Sequence, residues 1–353
     1  MTKHYKIVIL LLLIPFLGFS NDDIFISKEK NIKKTYIVNS NAGIDIDNKY
    51  GNISISTWDE DKIDIDITIK VTGGNENWVN ERLNSIDIDI IALKSMVTAV
   101  TKLGSSSIKS KGSNNSFEIN YVIKIPKNGT VKLMNKYGNI NILTIEGASD
   151  ITCKYGKVSV GKLNNTDNRF QIEYCQNSTI DYIKNGTVEA RYSGLKINDS
   201  GNLNLDTNYT DLVVADGQNI KYDCNYGTLK FQKISSFSGS GNYLTISIAE
   251  ISNNVNVDAT YSKISISNIT SKANNVNIKT DYTDISLGYD VNYAFDFDIN
   301  TKYGNIKSDH SLEVSVTETK NASKRISGFN KKKGQNKVLI NSNYGNVTLI
   351  KKQ

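Results

Sequence analysis

Proline is nearly missing from this chain. Its 353 residues include two, and Pro15 lies in the apolar leader. Histidine is as scarce, and only His310 lies beyond the leader, with no Cys or second His near it. That leaves no zinc-ligand spacing, and His310 reads as a surface residue at a strand start. No nucleophile elbow, phosphate loop or dinucleotide fingerprint is present, so no catalytic, cofactor-binding or metal-binding residue is assigned and no cofactor is expected. Arginine is confined to Arg82, Arg169, Arg191 and Arg325, too few for the cationic cleft that a polysaccharide lyase would want. The net charge of +6 includes two leader lysines, and residues 331–333 form the one tight basic cluster, read as a solvated loop. Nucleic-acid binding wants clustered Lys and Arg with interleaved aromatics, so no nucleic-acid partner is expected. The three cysteines are Cys153, Cys175 and Cys224, an odd number that leaves at least one free thiol in an exported protein.

No apolar run beyond the leader is long enough for a membrane helix. The leader has the build of a removable signal: Lys3 and Lys6, an apolar core over 7–17, then Gly18-Phe19-Ser20 before Asn21. No Cys stands near the cleavage point, so lipoprotein anchoring is not expected. The reading is an exported protein of the periplasm or cell surface, with no integral span once the signal is removed.

What the chain has in plenty is Gly, Asn, Ser, Thr, Ile and Tyr, which favour strands and turns. One sentence is written many times. An alternating strand reaches a Tyr, a Gly or small polar residue follows, and a second alternating strand departs. The repeat tyrosines are Tyr50, Tyr137, Tyr155, Tyr174, Tyr192, Tyr209, Tyr226, Tyr243, Tyr261, Tyr282, Tyr303 and Tyr344. From Tyr137 to Tyr303 the period is 17–21 residues, and Tyr344 follows after 41, about two periods. So short a period suits one turn of a β-solenoid better than a helical repeat.

Columns fix the register. Four residues before the Tyr stand Ile46, Leu133, Ile151, Phe170, Val188, Leu205 and their equivalents, with Gly239 breaking the column. Two before are mostly small residues, including Cys153 and Cys224; three and five after are mostly Ile, Val or Leu. The Tyr174 copy needs a one-residue shift, which brings Ile180 into line. Apolar columns face a shared interior and alternate polar residues face water. By the same parity the Tyr falls on the interior side, at a corner, ring on ring with its hydroxyl near solvent. Cys153 and Cys224 would lie in one column about four layers apart, roughly 19 Å at the strand spacing, beyond disulfide reach. Both read as small core residues.

The expected fold is all-β: a single-stranded parallel β-solenoid, or β-helix, of about 17–21 residues per rung, with an inserted antiparallel meander near the N-terminus. The expected units are 1–20 signal peptide, 21–58 N-terminal strand and first rung, 59–128 inserted antiparallel β meander or cap, 129–306 solenoid repeats, and 307–353 irregular insertion and closing rung. Within 59–128, residues 62–72 alternate strictly, 75–83 read as a short helix or loop, and 104–115 as an exposed hairpin loop. Bare end rungs would be edge strands, so 59–128 and 307–335 are the candidate covers.

Carboxylates are the best candidates for chemistry. Asp45/Asp47, Asp64/Asp66, Asp87/Asp89 and Asp296/Asp298 are i, i+2 pairs on outward faces. Such pairs can bind Ca²⁺ or flank a glycosidic bond, but wet strand faces need polar residues anyway. The pairs Asn139/Asn141, Asn202/Asn204 and Asn275/Asn277 suit amide ladders or sugar contacts.

The run Tyr121-Val122-Ile123-Lys124-Ile125-Pro126, followed by Val131-Lys132-Leu133-Met134-Asn135-Lys136-Tyr137-Gly138-Asn139-Ile140, resembles the bacterial putative-adhesin family. These are exported β-strand-repeat proteins of unknown function, common in Bacteroidetes. The closing stretch, with Val338-Leu339-Ile340 and Tyr344-Gly345-Asn346-Val347, resembles that family's ending. The resemblance implies a parallel β-solenoid at the surface or in the periplasm, and no catalytic residues. Thr or Ser after several middle tyrosines departs from the pattern. The function expected is a non-enzymatic cell-envelope adhesion-like or interaction scaffold, with envelope polysaccharide or surface proteins as partner classes. The rivals are a polysaccharide-acting enzyme on a β-helix and a self-assembling structural envelope protein.

Overall fold

A computed structural model describes residues 25–105 and 115–352. The expected signal peptide and most of the expected 104–115 hairpin loop lie outside the described residues. The described chain is nearly all β, in one large, mostly parallel sheet, with a single helix, Glu76–Ser85. Asn75 caps that helix by accepting the amide of Trp78 at 3.0 Å, and the buried Trp78 and Val79 anchor it.

Pairing follows the repeat. The strand before each Tyr pairs in parallel with the strand before the next. Val131–Lys136 pairs with Ser149–Lys154, and Ser149–Lys154 with Asn168–Glu173, placing Leu133, Ile151 and Phe170 in one row. The strand after each Tyr does likewise: Ile140–Ile145 pairs with Val158–Leu163, which pairs with Ser178–Arg191. Rows of Ile, Leu and Val therefore meet like with like inside, and nearly all are fully buried. One repeat alone could not bury its apolar face; the next repeat supplies both the cover and the backbone hydrogen bonds.

The expected shift in the Tyr174 copy is present. Val160 pairs with Ile180, and the extra residue is absorbed at Asn177, whose φ is +56°. The break at Gly239 also has a cause. The Tyr222 ring is buried there, stacked 4.6 Å from Phe237, and a Cβ on Gly239 would lie 1.9 Å from the Tyr222 carbonyl oxygen. One oversized side chain in a column is accommodated by a missing one in the next repeat.

The order of repeats in space departs from their order in sequence at the C-terminal end. The strand Asn336–Asn343 lies between Val276–Asp281 and Phe295–Lys302, parallel to both. Val347–Lys352 likewise lies between Asp284–Asp290 and Ile306–Lys307. The last repeat of the chain thus fills a slot between two earlier ones. The stretch expected to be irregular contains an antiparallel hairpin, Glu313–Lys320 with Ser323–Asn330, laid against Phe295–Lys302. It buries little, with Asn330 the one buried residue of its two strands.

At the other end Ile26–Ile37, Lys62–Gly73 and Ser116–Pro126 form antiparallel pairs. The 59–128 stretch is only partly antiparallel: Ser116–Pro126 runs parallel to Ile53–Trp58, and Met96–Leu103 parallel to Gly43–Lys49. A buried polar chain ties these strands. Thr101 donates to Asn48 at 2.8 Å, its hydroxyl lies 2.8 Å from that of Tyr121, and Asn48 donates to the Ile119 carbonyl at 2.9 Å.

Ile340 is fully buried between Ile278 and Ile299, so Ile340→Ala should cost about 2–5 kcal/mol, whereas Ile350→Ala at a 40 % exposed site should cost under about 0.5 kcal/mol. Equal costs in urea unfolding would contradict the inserted position of the last repeat. Burial pushes the Tyr121 phenol up to about 12. The folded state therefore keeps its proton where the unfolded chain, near pH 10, releases it. The resulting stability is complete below pH about 10 and is lost between about 10 and 12. Tyr121→Phe should flatten that alkaline loss; an unchanged slope would exclude the phenol as its source.

Candidate functional site

The twelve repeat tyrosines form one continuous ladder on the surface, and its build starts with the backbone. Every one has positive φ, between +48° and +62°. That left-handed conformation is uncommon for a residue with a bulky side chain. It turns each ring outward, against the parity expected from the strand. The rings are 38–54 % exposed rather than interior. The Tyr N–H can still bond to the neighbouring repeat, as from Tyr137 to the Lys154 carbonyl at 2.9 Å and from Tyr192 to the Asn208 carbonyl at 3.0 Å.

Adjacent rings lie 4.6–5.2 Å apart with interplanar angles of 3–21°. The spacing is that of neighbouring strands, so the ring stack inherits the backbone repeat. The ladder runs Tyr282, Tyr344, Tyr303, following the spatial order. The phenols of Tyr174 and Tyr282 are raised, first by desolvation and then by the neighbouring tyrosines.

In ten of the twelve copies the residue after the Tyr completes the turn in one of two ways; the other two carry Cys175 and Leu244 there. Where it is Gly, the neighbouring backbone closes in: a Cβ on Gly138 would sit 1.8 Å from the Gly51 carbonyl oxygen. Where it is Ser or Thr, the hydroxyl does the closing. Ser193 donates to the Arg191 carbonyl at 2.7 Å and accepts the Cys175 amide at 3.0 Å. Ser262 donates to the Thr260 carbonyl at 2.9 Å and accepts the Leu244 amide at 2.9 Å. The Thr and Ser departures therefore keep the same turn with a different means of closure.

Asparagines extend the ladder logic. Asn202 donates to Asn185 at 2.9 Å, Asn219 to Asn202 at 2.7 Å, and Asn277 to Asn256 at 2.9 Å. The aspartate pairs are not brought together. One member of each is held by its own cation: Asp45 by Lys132, Asp66 by Lys33, Asp89 by Lys102 and Asp298 by Arg325, at 2.7–3.1 Å. The hydrogen bond from Arg325 holds the Asp298 carboxyl below its ordinary value. Among the described residues no three His, Cys, Asp or Glu side chains gather around a common metal position. His310 is exposed.

All three cysteines are free and buried. Nothing in the sequence columns signals that Cys153 and Cys175 meet. Cys175 occupies the position after its Tyr, and its Sγ lies 3.3 Å from the Cys153 carbonyl oxygen. The neighbouring Cys175 thiol and burial raise the Cys153 thiol above its usual value.

The two ends of the ladder differ. Tyr50 is covered by Phe117 at 5.0 Å, and the Arg82 guanidinium lies 4.2 Å from the Phe117 ring centre. At the other end Tyr303, the most exposed of the twelve at 54 %, has Tyr344 on one face and among the described residues no aromatic ring on the other.

No family model matches the sequence, and no curated protein does. Three solved structures are similar. A putative cell adhesion protein from Clostridium sporogenes aligns over 92 % of this chain and all of its own, at 10 % identity and a TM-score of 0.16. A putative adhesin from Parabacteroides distasonis covers 72 % of this chain and 92 % of its own, at 10 % identity and a TM-score of 0.33. A putative adhesin from Bacteroides fragilis covers 91 % and 97 %, at 13 % identity and a TM-score of 0.22. The chain's resemblance to putative adhesins thus recurs among solved structures, at scores too low to bear on its chemistry.

The turn geometry makes a sharp prediction at Tyr209, in mid-ladder. Tyr209→Ala keeps the left-handed strain and loses two ring contacts, and should cost about 1–3 kcal/mol. Tyr209→Gly loses the rings but relieves the strain, and should cost less. Thermal unfolding in which the Gly variant is the less stable of the two would contradict a strained turn held by stacking.

Proposed function

We propose that this protein is an exported, non-enzymatic β-solenoid that serves the cell envelope as an adhesion-like or interaction scaffold. The observation that carries the reading is the outward surface. It is built of side-chain ladders that run from repeat to repeat, and one aspartate of each outward pair is tied to its own Lys or Arg. A glycosidase needs two free carboxyl groups facing one bond, and in each outward pair one carboxylate faces a cation instead. Such a surface suits recognition of an extended partner by many equivalent contacts.

In this reading residues 1–20 are a signal that is removed, 21–58, 129–306 and 336–352 supply the rungs, and 59–128 and the 313–330 hairpin close the two ends. Parallel pairing of every strand with its counterpart one repeat on is what a solenoid requires, and antiparallel strands at both ends blunt further sheet growth. End-to-end polymerisation is therefore less favoured than a monomeric rod.

X-ray scattering should show an elongated particle in which the twelve-rung ladder alone spans roughly 50 Å at ~4.8 Å per strand; a compact sphere would contradict the solenoid. A screen against envelope glycans and envelope proteins should return binding without turnover. Glycan hydrolysis with no stable binding would reverse the functional assignment.

A further inference from the structure

The charge of this chain is unevenly placed. Residues 300–353 hold eleven Lys or Arg against three Asp or Glu, whereas over the remainder acids slightly outnumber bases. Four of these eleven, Lys302, Lys320, Lys324 and Arg325, lie at the end of the ladder where Tyr303 has no second aromatic ring against it among the described residues. There a groove of about 380 Å³ crosses four neighbouring strands, from Asn336–Asn343 through Phe295–Lys302 and Ser323–Asn330 to Glu313–Lys320. Lys302, Lys320, Lys324 and Arg325 line it, with Asn300 and Asn341 between them. The one carboxylate in the lining is Glu318, 3.7 Å from Arg325, which is also bound to Asp298.

Register makes the groove regular. Asn341, Asn300 and Arg325 stand in one row across the strands, and Asn343, Lys302 and Ser323 in another. Lys324 donates to Asn305 beside Tyr303, and the Tyr303 amide donates to the Ala322 carbonyl at 2.9 Å, so the ring stands at the groove's edge. The Lys302 ammonium lies 5.4 Å from that ring's centre.

Each component has a ligand counterpart. Ammonium groups on a surface strip attract an anion and raise its local concentration. Side-chain amides and hydroxyls match sugar hydroxyls as donors and acceptors. An aromatic face at the rim gives a sugar ring an apolar surface to lie on. Duplex nucleic acid would need more phosphate contacts, and single strands more stacking platforms, than one ring and four cations provide.

We propose that this groove binds an acidic polysaccharide, with carboxylate or sulfate groups against Lys320, Lys324 and Lys302 and one sugar ring beside Tyr303. The proposal rests on the interaction-scaffold reading and names its ligand class.

The test uses the full mature chain and immobilised polygalacturonate, chondroitin sulfate and neutral dextran. The protein should bind at least one acidic polymer in about 50 mM salt, lose at least roughly tenfold in affinity by about 300 mM, and ignore dextran. Lys320→Glu combined with Lys324→Glu should weaken binding at least tenfold, and Tyr303→Ala severalfold. Lys34→Glu, on the exposed strand at the opposite end, should leave it unchanged; matching thermal melts establish that the variants are folded. Relative affinities for polygalacturonate and chondroitin sulfate distinguish carboxylate from sulfate as the anion.

Binding that the groove variants leave intact would overturn the proposal, as would tighter binding to duplex DNA or to phosphatidylglycerol vesicles. Binding to dextran or an envelope protein alone would sink this inference while preserving the scaffold reading. Polymer cleavage would sink both.

Discussion

Everything in this molecule depends on a tyrosine held in the left-handed backbone region. The conformation is unfavourable for a bulky residue by about 1 kcal/mol or more. It does two things at once. It turns the chain between two strands, and it swings the ring out to meet the rings above and below. Stacking of about 0.5–1.5 kcal/mol per pair offsets the strain, and an interior Tyr has two such partners. The turn is therefore stable in company and poor alone. That makes the repeats interdependent beyond the hydrogen bonds and apolar rows that any parallel sheet provides.

The same interdependence explains the tolerance seen after the Tyr. Gly51, Gly138 and Gly156 let backbones approach; Ser193, Thr210, Ser262 and Thr283 replace contact with a hydroxyl that bonds within and between repeats. Either solution satisfies the backbone groups at the corner, so both occur within one stack. Interior columns show a comparable exchange, with the bulk of Tyr222 set against Gly239.

Much of the β architecture was legible in the sequence because the interior columns are periodic. Leu133, Ile151 and Phe170 could be aligned in one row by counting back from the Tyr, and Ile180 could be placed by its one-residue shift. Ring direction was not legible, because parity assumes extended backbone and φ at the Tyr breaks it. Nor was the place of Tyr344. A gap of 41 residues says that a repeat is displaced, not that the chain returns to fill a slot it left open. The hairpin over 313–330 was hard to see because it buries little and its alternation, Leu312, Val314 and Val316, is short. Of the candidate site, the tyrosines and outward polar positions were visible. The groove near Tyr303 was not, since its cations come from three strands that only the fold brings together.

The most direct measurement is a pair of double-mutant cycles in which ladder tyrosines are changed to Ala. The account holds that rings couple by spatial order and not by sequence order. Tyr282 and Tyr344, 62 residues apart in sequence and 4.6 Å between ring centres, should show a coupling energy of about 0.5–1.5 kcal/mol. Tyr282 and Tyr303, only 21 residues apart but separated by the Tyr344 ring, should show almost none. Coupling between Tyr282 and Tyr303, with none between Tyr282 and Tyr344, would contradict it.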